Sequence, residues 1–353
     1  MGGEHWLWDV DLWAESPGYE PNDLGSLGST DGIGGFAGLT YRETVPGRVL
    51  RSYSLRIMSE QEWNYGGDWT AAWYGFFVSG QLLNFWRAEV GIDYNPQVLG
   101  HSLTRGGPIM RRSGFRGPFL FIGSPQGSRV QGSLRGGGGQ VPAGGWSFWL
   151  EPSITYRPTD RLELSLEPEY SRSVDPRQYV ATRSDGPQET YGSRYIFGQI
   201  ERSELAARIR ANYAISPDLT LEGYLEAFAS SGQYGEFGEL VAPRDHVLRP
   251  YDGDGSTITR TEIDEEGERE YRVIDRATSF TFSDPTFLVR SFRSNLVLRW
   301  EWRPGSTVFV VWQQDRSDGG VLGERAGVHD MVGSLRAEGD HFLALKATYW
   351  IPW

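Results

Sequence analysis

Strict alternation at the end of the chain constrains the fold most. From Leu343 to Trp353, the residues Leu343, Leu345, Ala347, Tyr349, Ile351 and Trp353 fall on one apolar face, with Lys346 and Thr348 opposite. A period of two over this length is a strand with one face in an apolar medium. An alternating strand ending on an aromatic ring is the pattern of bacterial outer-membrane barrels. On that reading Tyr349, Ile351 and Trp353 are the signal recognised by the barrel-assembly machinery. The last strand of a soluble sandwich alternates in the same way, so this segment alone leaves both open.

The unit recurs upstream. Leu205, Ala207, Ile209, Ala211, Tyr213 and Ile215 alternate with Arg208, Arg210 and Asn212. Ser216-Pro217-Asp218 turns the chain, and Leu219, Leu221 and Leu225 return against Glu222 and Glu226. Leu150, Ile154 and Tyr156 lead through Arg157-Pro158-Thr159-Asp160 into Leu162, Leu164 and Leu166, with Glu163 and Glu167 opposite. Leu296, Leu298, Trp300 and Trp302 alternate with Asn295, Arg299 and Glu301 before Arg303-Pro304-Gly305-Ser306 reverses the chain.

Short turns alternate with long polar connections near 15–34, 59–69, 95–114, 172–202, 230–287 and 316–341. Outer-membrane barrels have short periplasmic turns and long outside loops, whereas sandwiches distribute loop lengths between both ends. The alternation predicts strands near 5–14, 33–43, 49–58, 70–79, 82–94, 115–123, 127–135, 146–157, 162–171, 203–215, 219–229, 288–302, 306–315 and 342–353. The expected fold is therefore all-β: one antiparallel transmembrane β-barrel over residues 1–353, with about 14 strands (12–16).

Composition agrees with that class. No run approaches the ~20 consecutive apolar residues of a membrane helix. The 14 Trp, 17 Tyr and 17 Phe suit aromatic girdles, although a sugar-binding soluble β protein would also carry them. A net charge of −12 without a basic, aromatic-interleaved cluster argues against nucleic acid. The absence of Cys excludes disulfides and thiolate metal sites. Met1-Gly2-Gly3-Glu4 begins no secretory leader, which an outer-membrane protein requires, so the chain is expected to be part of a longer one.

Few residues suggest chemistry, and no cofactor is implied. The five His are scattered, and Gly123-Ser124-Pro125-Gln126-Gly127 does not make a nucleophile elbow. Asp252 and Asp254 resemble part of a calcium loop, but Ile263 stands where the twelfth-position Glu belongs; a surface turn is the simpler reading. The acidic run Glu262 to Glu270, including Asp264, Glu265 and Glu266, is either a solvated face or a divalent bridge to lipopolysaccharide phosphates. Glu163, Glu167, Glu222 and Glu226 on an interior face suit field-setting charges better than a hydrolytic carboxylate pair. Arg105, Arg111, Arg112 and Arg116 cluster around 95–114. If that loop enters the lumen, its cations would face the wall acids across a constriction also lined by Arg208, Arg210 and Arg299.

Several motifs resemble a known family. They are Pro17-Gly18-Tyr19-Glu20-Pro21-Asn22-Asp23-Leu24-Gly25, Arg105-Gly106-Gly107-Pro108-Ile109-Met110, Tyr234-Gly235-Glu236-Phe237 and Arg299-Trp300-Glu301-Trp302-Arg303-Pro304-Gly305-Ser306. The resemblance is to an outer-membrane barrel family, a domain of unknown function that follows a family-9-like carbohydrate-binding module. It implies a barrel in the bacterial outer membrane among lipid and lipopolysaccharide, with a saccharide as a conceivable ligand. That module is not in this sequence, so sugar binding carries over to no residue. Three functions stay open: a channel for small polar solutes, a plugged anchor for a periplasmic module, and a barrel-embedded glycan hydrolase.

Overall fold

The computed structural model describes residues 3–19, 30–262, 269–276, 278–320 and 322–351. Its strands begin with β1 (Trp6–Glu15), β2 (Gly32–Glu43), β3 (Leu50–Trp63), β4 (Trp69–Leu82), β5 (Arg87–Asn95), β6 (Leu99–Gly100) and β7 (Met110–Arg111). They continue with β8 (Phe115–Gly123), β9 (Val130–Val141), β10 (Gly145–Thr159), β11 (Leu162–Arg183), β12 (Arg194–Ser216), β13 (Leu219–Leu240) and β14 (Leu248–Pro250). The last are β15 (Ser256–Arg260), β16 (Glu270–Asp275), β17 (Thr278–Ser283), β18 (Phe287–Arg303), β19 (Ser306–Gly319) and β20 (Gly339–Thr348).

One antiparallel ladder runs β1-β2-β3-β4-β5-β8-β9-β10-β11-β12-β13-β18-β19-β20, each strand beside its successor. These fourteen strands are the ones the alternation predicts. Closure is not seen: among the described residues no pairing joins β1 to β20, and the ladder ends open. Side chains at those edges lack a neighbour on one side, so Leu12, Leu343 and Leu345 are 83, 72 and 73 % exposed.

Register lines up one continuous apolar face along the ladder. Trp8, Leu39, Ile57, Phe76 and Ile92 form one row across β1–β5. Leu162, Tyr213, Leu221, Leu298, Val310 and Leu345 form another across β11–β13 and β18–β20. A one-residue slip would move a whole strand's set to the other face, so the two rows hold each other in register. No second sheet covers this face among the described residues; Ile57, Ile92 and Trp300 remain exposed.

The buried core lies elsewhere, at the long-connection end. β11, β12 and β13 run 22, 23 and 22 residues, about twice the ~9–11 a membrane strand needs, whereas β5 and β8 have 9 each. On the long extensions, Ile196 and Phe237 pack with Tyr251, Val273, Phe280 and Phe282 around the small sheet β15-β16-β17. Tyr195, Phe197 and Leu240 pack with Met110, brought across by the 95–114 connection. The sequence reads 172–202 and 230–287 as connections, but their flanks continue as strands. Alternation is lost there because both faces are covered by protein.

Short turns follow local chemistry. Gly305 takes φ 76° in the β18–β19 turn, a backbone region that favours glycine, and the Trp350 ring system packs beside it.

Candidate functional site

The face opposite the apolar one is polar, and its character changes along the ladder. Across β11–β19 it is a charge ladder. Glu167, Arg208, Glu226, Arg293 and Asp315 are successive register partners, alternating in sign. Arg208 bridges Glu226 and Glu169, both at 3.2 Å, while Arg210 lies 3.6 Å from Glu167 and Arg293 3.6 Å from Asp315. The Tyr224 hydroxyl donates to Glu226 at 2.6 Å. Opposite charges placed directly across strands hold the register while leaving the face wettable.

Across β4–β10 the same face is aromatic and glycine-rich. Phe77, Gly91, Phe119, Gly137 and Trp149 are successive partners in one row. Ring centroids run Trp73–Phe77 6.3 Å, Phe77–Phe119 6.5 Å and Phe119–Trp149 6.1 Å. The sequence analysis passes over this row. The usable signal was Gly at strand-interior positions opposite aromatic residues.

The predicted site residues fall in different places. Arg208, Arg210, Glu222, Glu226, Arg299 and Lys346 share the polar face, as the alternation implies. Glu163 pairs with Arg157 at 2.6 Å and, with Glu222, lines a hollow of ≈ 280 Å³ at the short-turn end. Arg111 and Arg112 share a hollow of ≈ 350 Å³ with Asp175 and Arg177, and Arg111 also lines one of ≈ 950 Å³ beside Arg116. Arg105 instead stacks on Tyr179, 4.5 Å from the ring centre. Tyr179 stands sixteen positions beyond Glu163 on β11, roughly 50 Å at strand rise. The structure therefore does not bring the 95–114 arginines opposite Glu163.

Asp252 and Asp254 sit in a tight turn closed by the Gly253–Ser256 bridge. No group of three or more His, Asp or Glu is placed to hold a metal among the described residues. Tyr349 accepts from the Arg303 guanidinium at 2.6 Å and packs on Trp302, and Ile351 is exposed. Trp353, Asp264, Glu265 and Glu266 lie outside the described residues.

At the long-connection end, ion pairs tie the extensions together. Arg194 and Arg249 each contact both Glu239 and Asp275, at 2.6–3.1 Å, and the Tyr251 hydroxyl donates to Glu239. Arg249 holds the Asp275 carboxyl below the usual carboxylate range, while burial pushes Tyr251 upward. Arg244, just after β13, pairs with Asp68, just before β4, and lowers its pKa. β4 and β13 are fourth and eleventh in the ladder, so the sheet curls until connections from distant strands meet.

An all-β chain with one antiparallel meander, one apolar face and one polar face is the class these observations define. The chain belongs to the family described as Domain of unknown function (DUF5916), whose sequence profile matches residues 2–353. No curated protein and no solved structure matches it.

Proposed function

We propose that the chain forms the wall of an outer-membrane β-barrel whose polar face lines a passage for small polar solutes. One observation carries the reading: the apolar face of the fourteen-strand ladder is exposed, while the buried core sits beyond it at one end. Soluble monomers rarely expose contiguous apolar patches above a few hundred Å². Lipid is the medium in which such a face is stable, provided the sheet closes so that no edge is left unpaired. Trp6, Tyr41 and Tyr53 near the short turns, and Trp63, Tyr74 and Tyr94 near the opposite strand ends, suit the two interfaces. Lipopolysaccharide would then surround the long-connection end, and the barrel-assembly machinery would insert the chain.

The charge ladder of β11–β19 gives the passage its polarity. Its alternating signs favour neutral or zwitterionic solutes over either ion class. A plugged anchor is the second reading, favoured by the Arg244–Asp68 tether between distant connections. Planar-bilayer recording tests the pair. The channel reading predicts a small conductance whose ion preference weakens as salt rises, since exposed charges are screened over ~10 Å at 0.1 M. Inserted, folded protein without conductance would leave the anchor reading.

A further inference from the structure

We propose that the row Phe77, Phe119 and Trp149 is a binding track for neutral oligosaccharides. The inference rests on the channel reading for access to the polar face and adds the solute class. The two outer rings lie against glycine backbone, Phe77 against both Gly75 and Gly91 and Trp149 against Gly137. A methyl group at Gly91 would stand 2.3 Å from the Phe77 ring, and one at Gly137 3.0 Å from the Trp149 indole. All three rings are half-buried, so part of each stays accessible. Glycine on the intervening strands lets the rings lean together in a row with centroid steps of 6.5 and 6.1 Å, Phe77 edge-on to Phe119 and Phe119 tilted by 33° to Trp149.

The neighbouring row fits the rest of a sugar. Two residues toward the short turns, Ser79, Glu89, Phe121, Arg135 and Glu151 are register partners. Two strand positions are about 6.6 Å, roughly the reach from a ring face to a flanking hydroxyl. A pyranose presents C–H groups on its faces and hydroxyls at its edge. The negative face of an aromatic ring attracts the C–H side. Carboxylates accept from hydroxyls, and the guanidinium donates to them. Both signs of charge beside the rings suit a neutral chain better than an anionic or cationic one. On the opposite side, the Trp73 indole donates to Asp93 at 2.8 Å, which fixes that ring's orientation at the end of the row.

The test uses the full chain folded in detergent micelles, titrated calorimetrically with maltohexaose, cellohexaose and xylohexaose. At least one should bind saturably. Phe119→Ala and Trp149→Ala should each weaken it roughly two- to tenfold, and Trp149→Phe should recover most of the loss. Glu151→Gln should weaken binding without disturbing the rings. Saturation-transfer NMR on the unaltered chain, with these sugars, should mark sugar C–H protons even if an alanine variant fails to fold. Absence of binding by all three sugars at millimolar concentration overturns the proposal. So does unchanged affinity in a folded Phe119→Ala/Trp149→Ala double variant. Binding without conductance would overturn the channel and leave the track; conductance without binding would do the reverse.

Discussion

Asp275 shows how one residue holds the long-connection end together. It accepts from both Arg194 and Arg249 inside a buried ion cluster, and the Arg249 contact contributes most to its lowered pKa. A carboxyl with a depressed folded pKa gives stability that is present above the unfolded value of ~3.9 and lost as pH falls through the folded value. Hydrogen-exchange protection factors in β15–β17, corrected for the intrinsic pH dependence of exchange, should therefore be high at neutral pH and fall below about pH 4. Asp275→Asn should speed that exchange already at neutral pH, at a cost of about 3 kcal/mol for breaking a buried pair, and flatten the acid response. Equal exchange in variant and parent would show the cluster to be incidental. None of this was legible in the sequence. Asp275 and Arg194 are 81 positions apart, and no local period links them. The same holds for Arg105, whose sequence neighbours suggested an arginine cluster but whose partner is the Tyr179 ring.

Elements were far more legible than partners. Alternating apolar and polar residues placed all fourteen ladder strands, because each turns one apolar and one polar face over most of its length. The pattern failed where β11–β13 rise past the exposed band. There, Ile196 and Phe197 are adjacent yet both fully buried, in two different clusters. The aromatic row failed for another reason: Gly91 and Gly137 carry no side chain, so β5 and β9 show half of a pattern that only register completes. On the proposed outer-membrane reading, the C-terminal alternation at β20 serves assembly more than the finished fold. Trp353→Ala should lower the folded yield in cells several-fold, while protein refolded in detergent keeps its heat-resistant gel mobility. Normal insertion of that variant would make the terminal ring dispensable.

For the whole molecule, the central issue is which medium meets the apolar face. The ladder and the exposed apolar rows follow from alternation that the sequence displays; the displaced core does not, because it forms where alternation is lost. Curling does not follow, since it depends on how connections such as the Arg244–Asp68 tether pull distant strands together. The chain has no Cys, so single spin labels can be placed without background. The most direct test labels consecutive positions on two strands in reconstituted vesicles: Leu55, Arg56, Ile57 and Met58 on β3, then Val297, Leu298, Arg299 and Trp300 on β18. Accessibility to oxygen dissolved in lipid should peak at positions 55, 57, 298 and 300, and accessibility to a water-soluble nickel chelate at 56, 58, 297 and 299. The opposite phase, or high chelate access at every position, would contradict a wall whose apolar face meets lipid.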